Sequence, residues 1–411
     1  MATVEKNIET SHNNEIVLGE NEMVCSLTNR VVKATEKEMT LQSMIAMMTE
    51  EYGFASEDME RDYKVKYEDV DTGKNKTQKV DLAIFNAGRA HDEDELIRFI
   101  IVAKDAKVKP TDKKAGVEAT TENILSTTDC EFACWTNGED LQYVHAFEDD
   151  FGQVTCEAIS DFPAEGQTLE DLEKQGERAV PRKPANESLV KTFKRCHDYI
   201  YGNEGMKKTA FWELLNLIFC KLYDEKRRFS DAREGNSYRR RFWVGVKEQN
   251  TPEGQHAVAE RIKGIFEDLK DSHVFKDVFD GSEQITLSDR GLAFVASELA
   301  KYSFLDATVD VKGTAYETIV SNTLKQEAGQ FFTPRNIIKC MVEMLDPDQN
   351  CRVLDPACGS GGILVMVLDH VRHKIARNFY PELDEMHLEA KLNSAEVDDA
   401  VREYAEKMIF G

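Results

Sequence analysis

Val353-Leu354-Asp355-Pro356-Ala357-Cys358-Gly359-Ser360-Gly361-Gly362, followed by the apolar run Ile363–Leu368, is the stretch whose reading decides the fold. A short apolar strand enters a turn rich in glycine and then a helix. Glycine has no β-carbon, so such a turn lets backbone approach a ligand closely. The bland alternative is an ordinary strand-to-helix connection of an α/β fold. Upstream of Asp355 by 25 residues begins Gln330-Phe331-Phe332-Thr333-Pro334-Arg335. Cys358 reads as a small turn residue, since no basic partner that would activate a thiol stands near it in the sequence.

The whole chain has 411 residues, enough for two or three domains with separate cores. Its 76 acidic residues outnumber 52 basic ones and leave a net charge of −24. A chain that grips DNA unaided usually carries a basic face, because neutralising phosphates drives affinity. Any DNA grip is therefore expected to be shared with a partner or a further part of the protein. No apolar run reaches the roughly 18 residues of a membrane span, and the N-terminus MATVEKNIETSHNNE has no signal-peptide pattern. The 9 cysteines lack paired spacing. Cys130 and Cys134 have no second pair or histidines beside them, so no zinc site is expected. Reduced thiols in a cytoplasmic protein fit this usage.

Composition shifts divide the chain. Residues 1–37 are polar. Leu41, Met44, Ile45, Met48 and Tyr52 fall at helical spacing, and short apolar runs follow, Val80–Phe85, Phe99–Val102 and Phe132–Trp135. Residues 160–186 hold three of the 9 prolines and a short acidic helix, which reads as a linker. Residues 187–325 carry helical spacing at Leu189–Ile200, Phe211–Leu222 and Val258–Leu269. Two basic clusters stand out there, Lys226-Arg227-Arg228 and Tyr238–Trp243. Arg239, Arg240 and Arg241, interleaved with aromatics, are candidate DNA contacts, with a solvated loop as the bland alternative.

The segment from Asp310 to Leu368, with Val311–Glu317, Gln330–Arg335 and Asp355–Gly362 in this order, resembles the modification subunit of type I restriction-modification systems. That family consists of adenine-specific, amino-group DNA methyltransferases. The resemblance implies S-adenosylmethionine as cofactor, held by Gln330, Phe331, Phe332, Thr333, Pro334, Arg335, Asp355, Pro356, Ala357, Gly359, Ser360, Gly361 and Gly362. Asp355 would receive the cofactor's ammonium, and the Phe331–Arg335 segment would lie across its methionine end, with Thr333 and the turn at Pro334 shaping the pocket. Residues 189–225 are similar to the helical N-terminal region of the same subunit. Met408–Gly411 reads as the start of the second strand. The family's catalytic Asn-Pro-Pro-aromatic motif is expected beyond Gly411, so no catalytic residue is assigned in this chain, which reads as a fragment of a longer protein.

The order helix, strand with Asp81, strand ending near Lys104, helix, strand resembles the N-terminal nuclease-like domain of type I restriction enzyme R subunits, a PD-(D/E)xK fold. In that fold an Asp and an acid two residues before a Lys hold magnesium. Asp81 and Lys104 match, but Val102 stands where the acid belongs. An isopropyl group offers no oxygen, and Asp105 on a strand would face away from Lys104, so the site is expected to be degenerate and to hold no metal.

The resulting expectation is an α/β and α multi-domain chain. It comprises a polar segment 1–37, a PD-(D/E)xK-like domain at 38–159, a linker at 160–186, a helical domain at 187–325, and the start of a Rossmann-like methyltransferase core at 326–411. The implied function is methylation of adenine in double-stranded DNA within a restriction-modification or related antiviral defence system, with a specificity subunit and other defence subunits as partners and no membrane. The alternative from another class is a non-catalytic DNA-binding or assembly subunit of a defence complex.

Overall fold

The apolar runs Val80–Phe85, Phe99–Val102 and Phe132–Trp135 become the centre of a six-stranded sheet, because β-branched and aromatic side chains suit a pleated surface covered on both faces. The computed structural model describes residues 19, 21–69, 72–149, 151–173, 181–184, 188–233, 239–272, 278–279, 281–307 and 333–411. Contacts divide the chain into two units, Met1–Glu157 and Ala158–Gly411.

In the first unit the strands run in the order Val154–Ile159, Leu141–Glu148, Phe132–Thr136, Leu96–Val102, Leu82–Phe85, Met59–Arg61. Leu96–Val102 pairs parallel with Phe132–Thr136, Phe99 facing Ala133 and Val102 facing Thr136. Leu82–Phe85 joins its other edge antiparallel. All of Leu82–Phe85 and Phe132–Thr136 is buried. The expected helix spans Glu36–Glu50, opened by the Thr35 hydroxyl accepting the Glu38 N–H at 3.1 Å. Leu41, Met44, Ile45 and Met48 are buried along it. Tyr52 falls just past its end, buried, with its hydroxyl 3.0 Å from that of Tyr143. A separate hairpin pairs Lys64–Asp69 with Lys74–Lys79.

The second unit contains a helical core built on Ser188–Gly202, Ala210–Arg233, Pro252–Lys270 and Asp289–Ala300. Their apolar stripes meet as the 3.6-residue spacing requires. Buried charges fasten the loops onto this bundle. Lys221, fully buried, pairs with Glu225 at 2.8 Å and lies near the Phe242 and Phe304 rings. Asp224 accepts the N–H groups of Arg241 and Phe242, both at 2.8 Å, and Glu225 those of Phe304 and Leu305, both at 2.9 Å. Within 160–186, the short helix Leu169–Glu173 is present, Phe162 is buried, and Arg182 pairs with Asp161 at 2.7 Å. The Arg182 N–H donates to the Lys301 carbonyl at 2.9 Å.

A second, smaller core gathers Arg335–Leu345, Gly362–Phe379 and Ala395–Met408 around Val342, Val367, Val371 and Val397. Beside these helices Val353–Leu354 pairs parallel with Ile409–Phe410. The first strand therefore has the start of the second as its neighbour. Among the described residues no helix is long and apolar enough to cross a membrane.

Glu298 supplies a test of the buried charges. Burial pushes its carboxyl up, but the Arg195 guanidinium at 2.6 Å and the Lys301 ammonium at 2.5 Å outweigh that and hold it at about 2. Since the unfolded group titrates near 4.5, this stabilisation is full above pH 4.5 and lost as pH falls towards 2. Glu298→Gln should flatten the fall in stability over that acid range and lower stability at neutral pH by about 3–5 kcal/mol, measured by denaturation at several pH values. An unchanged acid profile would mean the pair contributes nothing.

Candidate functional site

The turn Asp355–Gly362 is anchored at its start by sheet pairing. The Asp355 N–H donates to the Phe410 carbonyl at 3.0 Å, continuing the parallel register beyond Leu354. One oxygen of the Asp355 carboxylate accepts the Ala357 N–H at 3.1 Å, which bends the chain back over the strand end. The Gly361 N–H then closes on the Cys358 carbonyl at 2.7 Å. Gly359 has φ +53° and Gly361 φ +79°, a left-handed conformation that strains any residue with a β-carbon. A β-carbon added at either would meet nothing within 4 Å, so both α-carbons border open space. Gly362 differs: it is already helical, and a β-carbon there would make ordinary 3.7 Å contact with Ile338. The helix that follows opens on Gly361 with no side-chain cap, leaving its first N–H groups available.

The nearness of Ile338 to the position a Gly362 β-carbon would take also brings the helix after the first motif beside the second. Ile338 lies in the first turn of Arg335–Leu345, whose N-cap is Pro334. The Pro334 carbonyl accepts the N–H groups of Ile337 and Ile338 at 3.0 and 3.1 Å. Thr333 and Pro334 are exposed and Arg335 half-buried. Gln330, Phe331 and Phe332 lie outside the described residues, as do Val311–Glu317. A second fastening holds the far end of the same helix. Asp346, left-handed at φ 46°, accepts from His370 Nε2 at 2.9 Å and pairs with Lys374 Nζ at 2.6 Å. Ser360 is exposed, and Pro356 and Ala357 form the outer surface of the turn.

In the first unit, Asp81 lies just ahead of Leu82–Phe85, beside the end of Leu96–Val102. Its carboxylate is buried and fully engaged: one oxygen accepts the Val102 N–H at 2.8 Å, and the other meets Lys37 Nζ at 2.7 Å. Val102 buries its side chain. The strand ends there, so Lys104 stands exposed beyond it and strand alternation does not reach Asp105. Asp105 instead accepts the Lys107 N–H at 3.0 Å. The Lys37 contact was invisible in the sequence because it links the first turn of a helix to a strand 44 residues away. Among the described residues no group of three or more His, Cys, Asp or Glu is placed to hold a metal ion. The arginine cluster is divided: Arg239 is exposed, Arg240 half-buried, and Arg241 pairs with Asp268 at 2.7 Å.

Residues 307–396 match the family described as N-6 DNA Methylase, and residues 36–163 match that described as Type I restriction enzyme R protein N terminus. The chain thus joins a segment similar to the N-6 DNA methylase family to one similar to the R-protein N terminus. The MjaVII methylase subunit of a type I restriction enzyme from Methanocaldococcus jannaschii is 26% identical over 48% of this chain and 38% of its own length. The EcoEI methylase subunit from Escherichia coli is 41% identical over 15% of this chain and 12% of its own. This chain therefore covers well under half the length of these relatives. A crystal structure of a modification subunit of a putative type I restriction enzyme from Vibrio vulnificus YJ016 aligns over 54% of this chain and 50% of that one. At 17% identity and a TM-score of 0.31, that likeness is too loose to define the fold.

With an ammonium on one oxygen, a backbone amide on the other and no metal-holding group of His, Cys, Asp or Glu around it among the described residues, Asp81 is poorly placed to hold a divalent cation. The chain should leave supercoiled plasmid intact in magnesium or manganese. Lys37→Ala combined with Val102→Glu should bind manganese measurably by calorimetry. Nicking by the unsubstituted chain that Asp81→Ala abolishes would contradict the sealed site.

Proposed function

We propose that the intact protein transfers a methyl group from S-adenosylmethionine to the exocyclic amino group of adenine in double-stranded DNA. The setting is a restriction-modification or related antiviral defence system of the cytoplasm. The observation that carries this reading is the turn Asp355–Gly362. Two left-handed glycines border open space beside a strand-end carboxylate, and the helix that Thr333–Arg335 leads into brings Ile338 to 3.7 Å from where a β-carbon of Gly362 would stand. S-adenosylmethionine supplies the activated methyl group when bound. The residues present suit it: Gly359 and Gly361 leave room for its methionine portion, Asp355 keeps one carboxylate oxygen for its ammonium, and Ser360 offers a hydroxyl.

In this reading the segment 326–411 opens a Rossmann-like methyltransferase core, and the parallel pair Val353–Leu354 with Ile409–Phe410 is its first βαβ crossover. Gln330, Phe331 and Phe332 belong to the same cofactor-binding motif as Thr333, Pro334 and Arg335. The helical region 187–325 packs beside that core, as its bundle of amphipathic helices suggests. Residues 38–159 form a PD-(D/E)xK-like domain that no longer cleaves, and 160–186 joins it to the remainder. A specificity subunit reads the target sequence, and other defence subunits complete the assembly. The name methylase subunit, shared by the type I relatives, supports this placement.

The test uses the full open reading frame that contains this chain. Tritiated methyl transfer to mixed-sequence DNA, with the other subunits present, should be measurable. Gly361→Trp should abolish it, since an indole would occupy the open space above the turn. Asp355→Ala should raise the concentration of methyl donor needed by at least tenfold, the loss expected for a charge-assisted hydrogen bond. No transfer by the intact assembly, or full transfer by Gly361→Trp, would overturn the proposal.

A further inference from the structure

Lys104-Asp105-Ala106-Lys107-Val108-Lys109-Pro110-Thr111-Asp112-Lys113-Lys114 holds five lysines and two aspartates, in a chain whose net charge is −24. All five lysines are exposed, and among the described residues none lies within ion-pairing distance of a carboxylate. The two aspartates turn to the loop's own backbone. Asp105 accepts the Lys107 N–H, and Asp112 accepts those of Lys114 and Ala115 at 2.8 and 2.9 Å. Five ammonium groups thus stand on the loop against its own two carboxylates and that of Glu36, which accepts the Ala106 N–H at 3.2 Å.

Several other basic side chains of the first unit are ion-paired. Lys37 meets Asp81, Lys79 meets Asp62 at 2.8 Å, Arg61 meets Glu38 at 2.9 Å, and Lys66 lies 3.6 Å from Glu93. In the second unit Arg241 is held by Asp268. What sets 104–114 apart is density: five exposed lysines fall within one short loop.

The loop is also fixed in shape. Asn137 Nδ2 donates to the Ala106 and Val108 carbonyls at 3.3 and 2.9 Å, and Trp135 Nε1 to the Ala115 carbonyl at 2.8 Å. The Val117 N–H donates to the Pro110 carbonyl at 2.8 Å. The backbone crosses itself so closely at Gly116 that a β-carbon would stand 2.3 Å from the Pro110 carbonyl oxygen. A row of charges on a backbone already ordered loses little conformational freedom on binding. Lysine is a compact point charge, suited to phosphates along a strand but not to bidentate reading of bases.

We infer that the lysine loop 104–114 grips the phosphate backbone of duplex DNA, giving the first unit a holding role beside a carboxylate that is sealed by Lys37. The choice of DNA as the polyanion rests on the function proposed above. The loop lies at the end of the strand that carries Val102, so a duplex on it would run past a site that cannot cleave.

The experiment is fluorescence anisotropy of a labelled mixed-sequence duplex titrated with the whole chain at several salt concentrations. Lys107→Glu/Lys109→Glu/Lys113→Glu should weaken binding at least tenfold at low salt and reduce the slope of log K against log salt by roughly 2–3, about 0.9 for each phosphate no longer neutralised. The charge-matched control Lys33→Glu/Lys207→Glu/Lys208→Glu should change it far less. If the glutamate variant melts early, the milder Lys107→Gln/Lys109→Gln/Lys113→Gln should still weaken binding while keeping the wild-type melting curve. No DNA binding by the unsubstituted chain, equal weakening by both triples, or tighter loop-dependent binding of duplex RNA would overturn the inference. Methyl transfer by the intact assembly that persists while the loop proves irrelevant would sink this inference alone. Loop-dependent DNA binding with no methyl transfer would sink only the catalytic reading.

Discussion

A carboxylate that accepts backbone N–H groups fixes each loop of interest in this molecule. Asp355 bends the glycine turn through the Ala357 amide, and Asp81 closes the strand end through Val102. Asp224 and Glu225 clamp two loops onto one helix through the amides of Arg241, Phe242, Phe304 and Leu305. Charge-assisted bonds of this kind are roughly twice as strong as neutral ones. They suit irregular backbone, which has no ladder of its own to satisfy its donors. Without them the turn and the loops would have to be ordered by packing alone, and the turn at Asp355 is too exposed for that.

The same interaction changes what the net charge means. Many acidic side chains are turned into the protein and occupied, so a total of −24 does not describe a uniformly negative surface. The lysine loop shows the converse. Its two aspartates accept N–H groups of its own backbone, and five exposed lysines stand among them. Composition pointed away from a DNA grip in this chain, whereas the local placement of charge points towards one.

Much of the architecture was legible in the sequence. The central strands and the helix carrying Leu41 to Met48 declared themselves by apolar runs and helical spacing, which report burial directly. The strand, glycine turn and helix from Val353 to Phe379 were readable for the same reason; of Met408–Gly411, read as the next strand, Ile409–Phe410 pairs as one and Met408 ends the preceding helix. What escaped were contacts distant in sequence. Lys37 reaching Asp81, Asp268 engaging Arg241, and Ile338 lying near Gly362 leave no local periodicity. Of the three glycines read alike, the left-handed conformation distinguishes Gly359 and Gly361 from the helical Gly362. Strand length also decided a detail: the strand ends at Val102, so alternation says nothing of Lys104 and Asp105.

The two units thus divide the work proposed for them, one holding DNA beside a sealed carboxylate and the other opening a methyl-donor pocket. The most direct measurement is a crystal structure of the intact protein with S-adenosylmethionine bound. The expected density places the methionine portion in van der Waals contact with the α-carbons of Gly359 and Gly361, with its ammonium hydrogen-bonded to Asp355. Cofactor bound elsewhere, with the Asp355–Gly362 turn empty, would contradict it.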